Sequence, residues 1–385
     1  MKNGKLRVAL VGLSFGAEFA PIYLKHPDVD SLVLVDSNKE LLNQIGDKFL
    51  VDERISDYDR MLEDDTIDAV HIVTPPSTHA PLSIKALNAG KHCACTIPMG
   101  MSIQELKDTI AARKASGKHF MFMETSVYGR EFLYVKDLYE KGELGRIQFM
   151  RCAHYQDMEA WPDYWTGFPP LMHPTHAVAP CLMLMGKRPT RVYCKGSGAV
   201  REEVKNGYGC PFAFESALIS LEDSDVSIEL ARFLYHVARG YTECFNVYGE
   251  KETFEWQQIE NEKPVLFYRV YDENNNMTLN DYGRGGLIAA KRIDVPDYAD
   301  RLPPEIARFT KATVYDESNP HLSFIQGGGH GGSHPHLVHE FVRCIVEDRA
   351  PVPDDITGAY WTAVGICAHQ SAMEGGTIVD VPVFG

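Results

Sequence analysis

The sequence predicts two domains: an α/β domain on a parallel sheet, then an α+β domain with an open, mainly antiparallel sheet. Three observations carry this reading. Through the first third, short aliphatic runs alternate with segments of helical length. After Glu124, strand-like runs follow one another with few helices between them. A chain of 385 residues also exceeds the usual reach of a single core. The boundary falls at 125/126, giving domains 1–125 and 126–385.

Leu6–Gly12 is aliphatic and ends at glycine, the mark of a strand buried on both faces. A helix follows to about Leu24, then strand Ser31–Asp36 and helix Asn38–Phe49. Ala69–Thr74 is a third strand, stopped by Pro75-Pro76, and Pro81–Ala89 is helical. His92–Cys95 and His119–Glu124 are strands flanking the helix Ser102–Ser116. Such alternation implies right-handed crossovers and a parallel sheet. Strands are then expected at Arg146–Tyr155, Arg191–Gly196, Phe212–Leu221, Val226–Tyr235, Cys244–Trp256 and Pro264–Asp272. Helices are expected at Thr175–Met185, His334–Glu347 and Thr357–Met373, and a polar surface insertion at Asn274–Pro304.

Composition narrows the function classes. Lys and Arg total 38 against 53 Asp and Glu, a net charge of −15, which repels nucleic acid and anionic membranes. No apolar run approaches the roughly 20 residues of a membrane span, and the N-terminal stretch is too short for a signal peptide. Nine cysteines without a C-x-x-C pair fit reduced thiols and a cytoplasmic location. The nearest pair, Cys93 and Cys95, is expected to point to opposite strand faces, so no metal site is expected.

The first strand runs into Gly12-Leu13-Ser14-Phe15-Gly16-Ala17. Against the Rossmann pattern G-x-G-x-x-G/A this matches at Gly12 and Ala17, with Ser14 at the middle position. Gly12, Ser14, Phe15 and Gly16 are therefore expected to line a dinucleotide diphosphate, aided by the helix N-terminus behind them. Asp36 ends the second strand about 20 residues on, where a carboxylate binds ribose hydroxyls; it would repel a 2′-phosphate and so favours NAD. The alternative for Asp36 is a helix N-cap.

Thr74-Pro75-Pro76-Ser77-Thr78-His79, followed by Ala86-Leu87-Asn88-Ala89-Gly90-Lys91-His92, resembles the Gfo/Idh/MocA oxidoreductases. His334-Pro335-His336 through Phe341, Pro351-Val352-Pro353 and Ala368–Ala372 look like the same family. The resemblance covers essentially the whole chain. It implies an NAD-binding Rossmann domain and a second domain whose open sheet makes an oligomer interface, hence a homo-oligomer. It places Thr74, Pro75 and His79 along the cofactor and Glu124 near the nicotinamide ribose. The family's Glu-Lys-Pro is here Thr96-Ile97-Pro98, so Thr96 and Ile97 stand beside the cofactor without the usual lysine. The family's Asp-x-Gly-x-x-x-His is replaced by Leu171-Met172-His173-Pro174-Thr175-His176. These departures, with Met123–Arg130, are similar to the branch of NAD-dependent glycosidases of the α-N-acetylgalactosaminidase type and of glycoside 3-oxidases. That branch oxidises a sugar hydroxyl at C3.

Removing hydride from a secondary alcohol needs a base for its proton. With Ile97 unable to titrate, His176 at a helix N-terminus, capped by Thr175, is the expected base. His173 would bind a sugar hydroxyl or share the proton, and Tyr128 would act as a phenol relay. Tyr155, Asp157, Tyr164 and Trp165 are expected to contact the sugar, combining rings for its C–H face with a carboxylate for its hydroxyls. His330, in the glycine run Gly327–Gly332, would close over the site. The resulting expectation is an NAD-dependent sugar or glycoside dehydrogenase. Its rivals are a redox-neutral NAD-dependent glycosidase and a non-catalytic dinucleotide- or sugar-binding regulator.

Overall fold

A computed structural model describes residues 4–205, 207–325 and 330–385. The chain divides into two compact units. The first comprises residues through Gly129, Asp297–Ile366 and Pro382–Gly385; the second comprises Arg130–Pro296 and Cys367–Val381.

The first unit is built on six parallel strands: β1 (Leu6–Val11), β2 (Val29–Val35), β3 (Arg54–Ile55), β4 (Ala69–Ile72), β5 (His92–Cys95) and β6 (Phe120–Phe122). Their order is β3-β2-β1-β4-β5-β6, the doubly wound arrangement. Helices α1 (Ala20–Lys25), α2 (Lys39–Phe49), α3 (Tyr58–Leu62), α4 (His79–Asn88) and α5 (Ile103–Ser116) connect them. β1 and β4 are almost wholly buried because helices cover both faces, as their unbroken apolar sequence requires. The segment after the glycine turn begins as a 3₁₀ turn, Gly16–Phe19, before α1. Pro21 fits there, where its missing N–H has no helical acceptor. α4 starts two residues before the expected Pro81.

The second unit starts with α6 (Arg130–Glu140) and has a nine-stranded sheet. Its strands are β7 (Ile147–Tyr155), β8 (Pro189–Ala199), β9 (Phe212–Leu221), β10 (Ser227–Phe233), β11 (Thr242–Gly249), β12 (Glu252–Glu255), β13 (Val265–Arg269), β14 (Ile288–Arg292) and finally Ile378–Asp380. All pairings are antiparallel except β7 with β10. α7 (Thr175–Met185) is almost entirely buried. The Cys244–Trp256 run is two strands, because the chain turns at Glu250 and Lys251. The expected insertion at Asn274–Pro304 contains β14, which pairs along the edge of β13 and leaves mostly exposed side chains.

Residues 297–366 belong with the first unit, whereas the sequence division put them in 126–385. This stretch holds α8 (Pro304–Ala307), α9 (His334–Val346) and the start of α10 (Asp355–Met373). Leu302, Ile306, Phe309, Leu337, Val338, Phe341 and Ile345 join Leu6, Val8, Leu10, Phe19 and Tyr23 in one core. The apolar stripe of α9 has the helical period, and burying it draws the chain back to the first core. All nine cysteines are free. Cys93 and Cys95 share one face of β5, correcting the expectation of opposite faces: residues two apart in a strand point the same way, and both thiols face Ser83.

Candidate functional site

In the first unit the site residues gather at the C-terminal ends of the parallel strands. Gly12 closes β1 at φ +86°, and a Cβ there would lie 2.3 Å from the Val73 carbonyl oxygen. Only glycine fits this close approach of two chain segments. Asp36 holds the turn: its Oδ2 accepts the Leu13 N–H at 2.8 Å and its Oδ1 the Asn38 N–H at 2.8 Å. The N-cap of α2 is Asn38, which accepts from Glu40 and Leu41, so the capping alternative for Asp36 does not hold. Two of the carboxylate's four lone-pair sites remain for a ribose. Ser14 is exposed on the turn, and Gly16 is buried beneath it against Val73. A dinucleotide diphosphate fits here, because the turn presents backbone N–H groups with no side chain over Gly12.

Thr74 Oγ1 pairs with Thr78 Oγ1 at 2.7 Å, and Thr78 Oγ1 donates to Pro75 O at 2.7 Å. His79 lies between two carbonyls, with Nδ1 2.7 Å from Pro98 O and Nε2 2.6 Å from Thr74 O. Burial lowers its pKa, with the carbonyls opposing. The ring ties the Thr74 turn to the segment after Ile97, and its nitrogens are occupied. Thr96 Oγ1 donates to Ile72 O at 3.1 Å, Ile97 is 8 % exposed, and buried Glu124 accepts the Ser126 N–H at 3.0 Å.

One expectation changes in this unit. The Tyr128 hydroxyl donates to Val352 O, its ring stacks on His336, and burial raises its pKa well above the usual phenol value. A phenol held this way is a packing and hydrogen-bonding element, not an available relay. His330 sits against Phe15 (ring centroids 5.4 Å) and His334 (5.1 Å), beside the glycine turn. Gly327–Gly329, in the loop expected to move with it, lie outside the described residues.

The second unit contains a polar row that runs across four strands. Glu215 on β9 pairs with Arg232 on β10, Arg232 with His154 on β7, and His154 with Glu243 on β11. All four are buried: Glu215 and Arg232 at 0 %, His154 at 1 % and Glu243 at 5 % exposed. Elsewhere the same strand face is apolar, with Cys152, Leu230, Ala217 and Phe245 inward. α7 packs over β7, β10 and β11 and brings His176, with His173 just before it. His176 Nε2 is 3.7 Å from Glu243 Oε1. The His154, His173 and His176 rings lie 5.2–6.3 Å apart, and Tyr241 stands 5.0 Å from His154. The Tyr241 hydroxyl donates to Glu243; burial, with that carboxylate, raises the phenol's pKa. The N-cap of α7 is Pro174, and Thr175 is the first helical residue with no capping bond, so the expected threonine cap is absent.

The expected sugar contacts separate. Trp165 lies edge-on to His173 at 5.2 Å and joins the cluster. Tyr155 follows His154 and turns to the opposite sheet face, against Phe233 and the Arg239 guanidinium. Asp157 ties its own loop, accepting the Glu159 and Val237 N–H groups. Tyr164 is exposed beside Trp165 and accepts the Tyr208 hydroxyl at its carbonyl. Glu243, Arg232, Tyr241, His154 and Gln156 were absent from the expected site. For Glu243, Arg232 and His154 the sequence signal is a charged or polar residue at a strand position where alternation calls for an apolar one; Gln156 and Tyr241 lie one residue outside β7 and β11.

Cys210, Glu215 and His369 bring metal-ligating atoms within 4.8 Å of one another. Glu215 already accepts from His369 Nδ1 (2.7 Å) and from the Leu171 N–H (2.8 Å), and burial pushes the Cys210 thiol up to about 12. The group is satisfied internally.

Two family models match the chain in succession. Residues 6–124 match the oxidoreductase family described as an NAD-binding Rossmann fold, and residues 132–255 match the GFO/IDH/MocA C-terminal domain. The chain belongs to the Gfo/Idh/MocA oxidoreductases. NAD is its cofactor, in agreement with the glycine turn and Asp36. Among similar sequences is the α-N-acetylgalactosaminidase of Shewanella oneidensis, 23% identical over 358 residues, covering 85% of this chain and 71% of that protein. Glycosyl hydrolase family 109 protein 1 of Shewanella sp. strain ANA-3 matches to the same extent. Levoglucosan dehydrogenase in complex with NADH and levoglucosan aligns with a TM-score of 0.75 at 19% identity, covering 98% of this chain and 100% of its own. Myo-inositol 2-dehydrogenase from Lactobacillus plantarum aligns at 0.71, also 19% identical, with 98% and 100% covered. These structural likenesses establish the fold. No helix among the described residues is long and apolar enough to cross a membrane.

Proposed function

We propose that this oxidoreductase oxidises a secondary hydroxyl of a sugar or glycoside, at C3, with His176 as the base. The observation that supports it is the buried pairing of His176 with Glu243 beside His154, His173 and Trp165. Gly12, Ser14, Gly16 and Asp36 would hold NAD, which would supply the hydride acceptor. The carbinol C–H leaves as hydride, the hydroxyl proton passes to His176, and the product is a ketone. Glu243 stabilises the imidazolium that forms, since an adjacent carboxylate favours the charged ring. Its own charge is held by the Tyr241 hydroxyl. Trp165 offers an apolar face to the sugar's C–H groups. In this reading the first unit binds NAD, the second binds the sugar, and the protein works as a cytoplasmic homo-oligomer.

The test is to incubate the purified protein with NAD and a panel of free sugars and glycosides, following nicotinamide absorbance and product mass. Reduced nicotinamide with a product two hydrogens lighter is expected. No reduction and no product across the panel would overturn the proposal. A second reading, redox-neutral glycoside cleavage, is favoured by the resemblance to the Shewanella α-N-acetylgalactosaminidase. It is told apart by aglycone release without net cofactor reduction.

A further inference from the structure

We infer that Arg232 is a positioning residue that holds His173 in one tautomer, with the proton on Nε2, and so makes His173 a hydrogen-bond donor while His176 takes the proton. The inference deepens the proposed reaction and rests on it for its functional meaning; the tautomer itself does not.

Arg232 is fully buried in the centre of the polar row. Its Nη2 lies 3.4 Å from His173 Nδ1 and 3.3 Å from Gln156 Oε1. Burial lowers the guanidinium to about 10, so it remains protonated at neutral pH, with Tyr241, Glu243 and Tyr235 favouring the charge. A guanidinium has donors and no acceptor. The only productive contact is therefore Nη2–H donating to an unprotonated Nδ1, and the ring proton must sit on Nε2. Placing a proton on Nδ1 would set two buried donors against each other. It would also put a cationic ring beside a buried cation if Nε2 kept its own proton.

Among the groups facing His173 are Arg232 from β10, His154 from β7, His176 from α7 and the Trp165 ring. The Glu243 carboxylate lies against His176. Two histidines three residues apart thus receive opposite electrostatic partners. His176 is suited to gaining a proton and His173 to keeping one.

The test is imidazole ¹⁵N NMR of the full-length protein labelled at histidine, with the His173 signals assigned by their loss in His173→Gln. In the wild type, Nδ1 is expected to show the unprotonated, pyridine-type shift and Nε2 the protonated one at neutral pH. Arg232→Met should move both signals towards an averaged tautomer mixture, and Arg232→Lys, which keeps a charged donor, should restore them. A protonated Nδ1 in the wild type, or His173 signals unmoved in a folded Arg232→Met protein, would overturn the inference. If Arg232→Met does not fold, the wild-type spectrum decides alone. Inactivity on every sugar with the expected spectrum would remove the proposed reaction and leave the tautomer assignment standing.

Discussion

The two units bury polar groups in contrasting ways. At the glycine turn, these polar side chains answer to backbone nearby: Asp36 to Leu13 and Asn38, His79 to Thr74 and Pro98, Glu124 to Ser126. In the second unit, Glu215, Arg232, His154 and Glu243 sit side by side across strands, and side chains answer largely to side chains. Backbone partners make a rigid cradle with a shape to fill. Side-chain partners make a set of groups whose charge and protonation depend on one another.

The largest effect is expected at the cradle. In Gly12→Ala, a methyl 2.3 Å from Val73 O and a positive φ should cost about 3 kcal/mol of stability. NAD binding should be lost with it. Urea unfolding and an NAD titration check both; an alanine variant that binds NAD normally would break the account of a shape-determined cradle.

His176→Ala should lower hydride transfer by about 10²–10⁴-fold, the usual contribution of a positioned base, while NAD still binds. Turnover within tenfold of wild type would move the base elsewhere. Glu243→Gln removes the carboxylate 3.7 Å from His176 and should cost about ten- to a hundredfold in kcat/KM, as for loss of a charge-assisted contact. An unchanged kcat/KM would make the row structural, erasing the contrast between the units.

Acid should reach the first unit through its buried histidines. Burial lowers His71 to about 3 and His26, His92 and His336 to about 4, from an ordinary 6.5. Between those values the unfolded chain binds more protons than the folded one. Stability is therefore complete above about pH 6.5 and falls by several kcal/mol as pH drops towards 4. Urea midpoints that stay flat from pH 7 to 4.5 would contradict it. The smallest effect belongs to Tyr155→Phe, whose ring faces Phe233 on the far side of the sheet. Turnover should change less than about twofold, within the range of neutral surface changes; a large loss would place Tyr155 at the site after all.

The parallel sheet, its glycine turn and Asp36 were legible because each is a local pattern: an aliphatic run, a glycine, an acid at a set distance. His173 and His176 were legible as a close pair at the start of a helix. Tyr155 was misjudged although the strand was expected to end there, because alternation along β7 turns its ring away from His154. Glu243 and Arg232 passed unnoticed, each a lone charge in an otherwise ordinary strand.

By itself the sequence determined the family, the cofactor-binding turn and the order of strands and helices, since these depend on residues within a few tens of positions. Tertiary structure alone decided that residues 297–366 return to the first core and that positions 154, 215, 232 and 243 fall in one register. Pairing register is a property of strands brought together by folding, and a one-residue slip would send each of those side chains to the other face.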